Sequence, residues 1–515
     1  MCGILLYCGA VSGGERYVEF GEGAAVEVSS GVPEVDRVAP YIAARGPNFS
    51  SLRSSQDNDL CWFSSVLSLR QPFVKQSVIV ADGRYVLQFN GELYNSEIGN
   101  SGNDTQFIAD ALENNESVES VLRRLDGEFA YTITDTIQKR VYFGRDAVGK
   151  RSLSYCVDSE TDALYVASVT GITPLQYVNC IAGTVYIYDM ESHTQDDSIT
   201  LVNESDREVT PQEDPEMTQL PQTIGRLYSS LTNAVSRRIT TIHPKHIENS
   251  PISVLFSGGL DCSVIVALIC QQLAQLSTNT VVELLNVGFE NPRTKMQPGD
   301  TPDRKLALQS YKTLHELFPE VDMRLVEVDV PYKQYLETRP KVIDLMYPKN
   351  TEMDLSIAIA FYFAARGVGY ITATDNSEER KPYIRKGIVL FSGLGADELY
   401  GGYHKFANKT TPELVAELKR QISNIHDRNL NRDDKVIAAN GVEVRYPFLD
   451  EEVIRMSTTT IPISYKTNKL VLRRMASEKL GLGPIADEPK RAIQFGSRSA
   501  KMTKDGNKNG TDILK

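Results

Sequence analysis

The sequence predicts an α/β multidomain chain, and three observations carry that prediction. At 515 residues the chain is several times the roughly 100–200 residues of a typical domain, so more than one hydrophobic core is expected. Its rhythm changes near residue 220, from short alternating β-rich runs to strands that alternate with helical stretches. Two of the later strand-like runs end in glycine-rich turns that pass directly into helical sequence, at 252–263 and 388–403. Strand, turn and helix in that order build a parallel sheet wrapped by helices.

Taken along the chain, residues 2–188 form one expected domain. Strands are read at 77–81, 85–89, 129–134, 141–144, 164–167 and 184–188, with helices at 104–112, behind the cap candidates Asn103 and Asp104, and at 117–125. Residues 189–220 read as an acidic linker: Glu191, Asp196, Asp197, Glu204, Asp206, Glu208, Glu213, Asp214 and Glu216 stand against Arg207 with little apolar content. From 221 to 515, strands at 252–256, 281–289, 323–330 and 388–391 alternate with helices at 264–275, 303–318 and 354–366.

Composition narrows the function classes. A net charge of −12 repels nucleic acid and anionic lipid over most of the surface, so neither nucleic acid nor a membrane is expected as a partner. Seven cysteines without a CxxC pair indicate neither a disulfide framework nor a cysteine zinc site, and fit a reducing, cytoplasmic location. No apolar run reaches the roughly 18–20 residues that cross a bilayer. Oligomeric state is not legible.

The run Ile252-Ser-Val-Leu-Phe-Ser257-Gly258-Gly259-Leu260-Asp261-Cys262-Ser263 ends a buried strand at a Gly pair and starts a helix at once. Unshielded backbone N–H groups there can face an anion, and the glycines allow close approach of phosphate oxygens. The spacing is not GxxxxGK[ST]. Asp261 repels phosphate unless a divalent cation lies between, so the loop asks for Mg²⁺ together with phosphate. A second loop, Ser392-Gly-Leu-Gly-Ala-Asp397-Glu398-Leu-Tyr-Gly401-Gly402-Tyr403, repeats the design. Two acid-tipped loops at the carboxyl ends of neighbouring parallel strands can share a metal through Asp261 and Asp397.

With these two loops the sequence resembles the asparagine synthetase family. The Ser-Gly-Gly-x-Asp loop is similar to the pyrophosphate loop of ATP pyrophosphatases, and Gly441-Val-Glu-Val-Arg445-Tyr-Pro-Phe-Leu-Asp450 is similar to the family's GVEARVPFLD segment. The ending Lys490-Arg-Ala-Ile-Gln-Phe-Gly-Ser-Arg498 resembles the subgroup of asparagine synthetase domain-containing proteins. The resemblance implies an N-terminal Ntn-hydrolase αββα sandwich followed by a Rossmann-like parallel-sheet ATP-pyrophosphatase domain. It also implies ATP binding by Leu255, Ser257, Gly258, Gly259, Asp261, Val287, Ser392 and Gly393, with Lys435, Lys490 and Arg491 as sources of positive charge for the phosphates.

Met1-Cys2-Gly3-Ile4 places a thiol where loss of Met1 makes it the first residue. Such a Cys carries nucleophile and base together, because the α-amine pKa is near 8 and the thiol's near 8.5. Among six histidines, none stands in a Cys/His motif, so this self-contained arrangement matters. The N-terminal half resembles class II glutamine amidotransferases. Asn90-Gly91-Glu92-Leu-Tyr-Asn95 is similar to their NGExYN segment, whose Asn amide and Gly N–H form an oxyanion hole. Gly102-Asn-Asp104 is similar to the segment whose Asp holds the glutamine amino group, and Arg45-Gly-Pro-Asn48 and Gly144-Arg-Asp146 match further motifs.

Joined, the halves imply a ligase that hydrolyses glutamine at Cys2 and amidates aspartate through an acyl-adenylate made with ATP and Mg²⁺. Two departures are chemically placed. Leu394 stands where the family has Glu between the two glycines of the second loop, and Val66 where an Arg grips the glutamine α-carboxylate, leaving Arg70 as the substitute beside Glu92 and Asp104. Amidation of another carboxylate, and a binding protein that has lost turnover, stay open beside the first reading.

Overall fold

A computed structural model describes residues 2–11, 14–23, 26–99, 102–210, 212–243, 250–276, 278–372, 379–403, 406, 409–502 and 510–514. The N-terminal half is a four-layer α-β-β-α sandwich. Its first sheet runs in the order Val178–Asn179, Ser154–Val157, Leu164–Ala167, Cys2–Cys8, Leu60–Val66, Phe49–Ser55, Arg16–Phe20. The second runs Thr194–Thr200, Thr184–Asp189, Arg140–Arg145, Gly127–Asp135, Tyr85–Leu93, Val78–Val80. Ile4, Leu6, Trp62, Val86, Ala130 and Phe143 interdigitate between the sheets.

Each outer face is covered by helix. Helix Pro33–Arg45 lays Val35, Val38, Ala39 and Ile42 on the first sheet, a stripe of period 3.6. Helix Asp104–Glu113 starts where the sequence predicts it, with the Asn103 side chain accepting from the N–H groups of Thr105 and Gln106, and packs Ile108, Ala109 and Leu112 on the second sheet.

The C-terminal half is a seven-stranded sheet in the order Arg380–Ile384, Val368–Thr372, Met323–Val330, Val282–Phe289, Ile252–Leu255, Val389–Phe391, Glu443–Arg445. The last five strands of that order are parallel, and the first two form an antiparallel edge hairpin. The chain starts the parallel part at Ile252–Leu255 and fills one side of it before the other. The switch in direction therefore lies between Ile252–Leu255 and Val389–Phe391, and both glycine loops emerge there, the place where open α/β sheets bind ligands. Helix Leu260–Leu276 is apolar almost all round because it is buried almost all round.

One expectation changes in extent. The acidic stretch 189–220 is not all connector: Thr194–Thr200 is the edge strand of the second sheet, in register with Thr184–Asp189. Its exposed acids occupy a sheet edge, where charge discourages pairing with another chain.

The halves meet across a buried ion network. Arg45 pairs with Asp434 at 2.8 Å. Arg151 lies 3.3 Å from Glu128 and 3.9 Å from both Asp434 and Glu443. Arg238 pairs with Glu128 at 2.8 Å and Asp450 at 2.7 Å, and Arg445 with Glu443 at 2.8 Å and Glu92 at 3.0 Å. None of these side chains is more than 2% exposed.

Candidate functional site

Two sites are built, one in each half. Cys2 opens the central strand Cys2–Cys8, in register with Val66, and lines a small cavity of about 40 Å³ with Leu67, Arg70, Gln76, Gly91, Glu92, Asp104 and Glu443. Its backbone N–H donates to Asn90 Oδ1 at 2.9 Å, and its carbonyl accepts from Arg45 Nε at 3.2 Å. Burial pushes the thiol up from its ordinary value. Met1 lies outside the described residues.

The other end of the Asn90 amide is the informative one. Nδ2 is fully buried and has no hydrogen-bond partner among the described residues, a costly condition unless a ligand accepts from it. A Cβ at Gly91 would fall 2.2 Å from the Glu128 carbonyl, so only glycine fits beside it. Gln76, which sequence reasoning missed, is clamped to Phe89 through both its amide ends and brings Nε2 to 3.8 Å from Cys2 Sγ. Its signal is weak: the irregular stretch 67–77 holds two glutamines, Gln71 and Gln76, and nothing in their spacing singles out the second.

Arg70 corrects an expectation. It is turned inward, with Nε 2.6 Å from Glu92 Oε1 and 3.2 Å from Asp104 Oδ1, and it donates to the carbonyls of Leu93, Gly99 and Gly102. Four of its five N–H groups are engaged within the protein, which leaves it no fork to grip a carboxylate. Glu92 is held between Arg70 and Arg445. Asp104 also accepts from the Leu93 N–H, and burial with Glu92 alongside pushes it well above the usual carboxylate range against Arg70. Val66 brings an apolar side chain to the cavity wall.

The second site is a cavity of about 500 Å³ at the switch point. Leu255, Ser257, Gly259, Asp261, Val287, Ser392, Gly393, Asp397, Lys490 and Arg491 all line it. Gly258 instead faces helix Pro302–Leu317, where a Cβ would fall 2.5 Å from the Ala307 nitrogen, and its carbonyl accepts from Ser310 Oγ at 2.7 Å. Lys435 is not in the wall: it is buried in the domain interface, donates to the Tyr347 carbonyl at 2.7 Å, and is pushed down to about 7 by burial and by Arg145 and Arg45. A phosphate in this cavity does not meet it, and that expectation is withdrawn.

Asp261 and Asp397 converge on one cation, supplied by the chain itself. Lys469 Nζ lies 2.6 Å from Asp261 Oδ2 and 2.6 Å from Asp397 Oδ1, and Lys490 also pairs with Asp397. Burial would raise Asp397, but Lys469 and Lys490 hold it at about 2. Lys469 was missed because its signal is conformational. Asn468 and Lys469 are successive non-glycine residues with φ of 52° and 58°, a strained pair that aims the ammonium at both loops. Two carboxylates around a single cationic point also fit Mg²⁺, which takes one or two carboxylates and completes its shell with phosphate oxygens and water. Among the described residues no cluster of three His, Cys, Asp or Glu side chains offers a metal site made by protein alone.

The rest of the cavity is uneven in character. Met353, Ile357, Phe361 and Leu394 give an apolar wall, and Arg428, Arg432 and Lys349 a basic one, each basic group already paired or hydrogen-bonded. Asp303, at the start of helix Pro302–Leu317, is pushed up to about 7 by burial, with Arg491 3.9 Å away.

Comparison with known proteins matches residues 64–173 to a glutamine amidotransferase domain model and residues 227–413 and 407–509 to an asparagine synthase model. The chain is 58% identical over 531 residues to an asparagine synthetase domain-containing protein of Saccharomyces cerevisiae, covering 100% of this chain and 99% of that one. It is 28% identical to asparagine synthetase domain-containing protein 1 of Gallus gallus, covering 91% and 94%. It is 24% identical to the asparagine synthetase [glutamine-hydrolyzing] of Mus musculus, covering 80% and 72%.

Proposed function

The chain belongs to the asparagine synthase family, and on that premise we propose that it is an ATP-dependent carbon–nitrogen ligase that takes its nitrogen from an amide hydrolysed at Cys2. The observation that carries this reading is the convergence of Asp261 and Asp397 on one cation at the head of the 500 Å³ cavity. Carboxylates placed that way neutralise a cation, and through it a departing pyrophosphate.

At the first site the Cys2 thiol attacks the γ-amide of glutamine, its proton passing to the α-amine that loss of Met1 frees. Asn90 Nδ2 and the Gly91 N–H donate to the oxyanion. The orphaned Asn90 donor supports that role, because donors preorganised in this way give a few kcal/mol each. Ammonia leaves, and water releases glutamate from the thioester. At the second site the acceptor carboxylate attacks the α-phosphorus of ATP, the Gly259 turn and Ser392 hold the phosphates, and ammonia displaces AMP from the acyl-adenylate. Asp261 and Asp397 would hold Mg²⁺, which supplies charge neutralisation for pyrophosphate. Lys469 and Lys490 share that task from the protein side.

The acceptor is aspartate in the simplest form of this proposal. A second reading, amidation of a different carboxylate, is favoured by Leu394: it adds an apolar side chain to the lining of the cavity, where a charged acceptor needs polar partners. Pyrophosphate release across a panel of carboxylic acids, with ammonia supplied directly, separates the two. Turnover with aspartate alone supports the first, turnover with a more apolar acid the second, and no turnover with any acid rejects the ligase. A cytoplasmic place of work belongs to the same proposal; among the described residues no helix is long and apolar enough to cross a membrane.

A further inference from the structure

The charges around Cys2 decide what can enter. The cavity wall carries three carboxylates, Glu92, Asp104 and Glu443, and among the described residues one cation, Arg70. Arg70 is held by Glu92, Asp104 and three backbone carbonyls. An incoming α-carboxylate therefore finds no free guanidinium and meets carboxylates instead, and opposite Cys2 in the sheet register stands Val66. An ammonium meets the reverse. Arg445 pairs with Glu92 and Glu443, and Arg151 lies 3.9 Å from Glu443, which leaves Asp104, 3.2 Å from Arg70, as the carboxylate placed to receive an ammonium.

The cavity is small, about 40 Å³. The mouth carries Phe73, 39% exposed and set edge-on against Phe49 at 6.0 Å, an aromatic surface over which a longer ligand can continue outward.

Resting on the reading that Cys2 hydrolyses an amide, we propose that the nitrogen donor is a glutamine with a free α-amine and a blocked α-carboxyl: the N-terminal glutamine of a peptide. Asp104 receives the α-ammonium, Asn90 Nδ2 the amide oxygen, and the peptide leaves past Phe73. The thiol sulfur bonds to the γ-carbon and the C–N bond breaks. The thiol proton goes by way of the amine to the leaving nitrogen, which departs as ammonia. Water then cleaves the thioester, giving an N-terminal glutamate and the free thiol.

The test measures ammonia release from free glutamine, Gln-Gly, glutaminamide and N-acetylglutamine, with conversion of the side-chain amide checked by mass. Expected are kcat/KM values at least tenfold higher for Gln-Gly and glutaminamide than for free glutamine, none for N-acetylglutamine, and loss of all release in Cys2→Ala. Equal or better turnover of free glutamine overturns the proposal while leaving amide hydrolysis at Cys2 standing. Turnover of N-acetylglutamine overturns the role given to Asp104. Failure to hydrolyse any of the four overturns the amide-hydrolysis reading with it.

Discussion

Replacing Arg151 by methionine removes one guanidinium from the centre of the domain interface while nearly conserving volume. Its side chain is fully buried, lies within 3.9 Å of Glu128, Asp434 and Glu443, and donates to the Val444 carbonyl at 2.7 Å. Deleting one partner of a buried ion pair costs about 3–5 kcal/mol because the remaining charge stays desolvated. Here each carboxylate keeps a closer guanidinium: Glu128 has Arg238, Asp434 has Arg45 and Glu443 has Arg445, all at 2.8 Å. The cost therefore falls at the low end, about 3 kcal/mol, a large share of the roughly 5–15 kcal/mol that holds a typical domain folded.

The assay is urea unfolding followed by the chain's single tryptophan, Trp62, which is buried between the sheets of the N-terminal half. Acid adds a second readout. Burial alone would raise Asp434, but Arg45 and Arg151 hold it below the usual carboxylate value. A depressed carboxylate contributes stability that is fully present above its unfolded pKa, about 4, and is lost as pH falls through the folded value. With Arg151 gone the depression shrinks, so the gap between the two proteins is full at neutral pH and narrows below about pH 4. A loss under about 0.5 kcal/mol, the range of an ordinary surface substitution, would show that the network does not stabilise the interface.

The other predictions concern the two sites. Asn90→Ala should cut amide-supported turnover by about 100–1000-fold, as loss of an oxyanion donor does, while leaving ammonia-supported turnover intact; equal loss of both removes the donor role. Asp261→Asn should abolish pyrophosphate release without altering amide hydrolysis, and an unchanged rate rejects the shared cation. Lys469→Met should leave Asp397 with Lys490 as its remaining close cation, raising its titration from about 2; carboxylate NMR that finds no upward shift refutes the bridge. Gly91→Ala should be poorly folded or markedly less heat-stable, because its Cβ lands 2.2 Å from the Glu128 carbonyl; a wild-type melting temperature contradicts that contact.

Much of the C-terminal half was legible because strand, glycine turn and helix are contiguous in sequence. The loops at Ser257 and Ser392 therefore stand out in the sequence, and Met323–Val330 lies at its expected residues. Helix Pro33–Arg45 is hidden, although Val35, Val38, Ala39 and Ile42 repeat at helical spacing, because Pro40 inside the run reads as a helix breaker. Arg70 shows the deeper limit. The resemblance groups it with Glu92 and Asp104 as a contact to glutamine, but whether a guanidinium faces a ligand or its own backbone depends on three carbonyls that no spacing rule gathers. Lys469 stands 208 residues from Asp261 in the chain, and only folding brings them together.

The ionic seam also bears on inheritance and on the bench. A cut near residue 210 would leave Glu92 and Glu128 on one fragment and Arg238 and Arg445 on the other, each an oily face studded with stranded charge. Each fragment alone is therefore expected to be less stable than the whole, and changes at the seam are expected to arise as matched pairs.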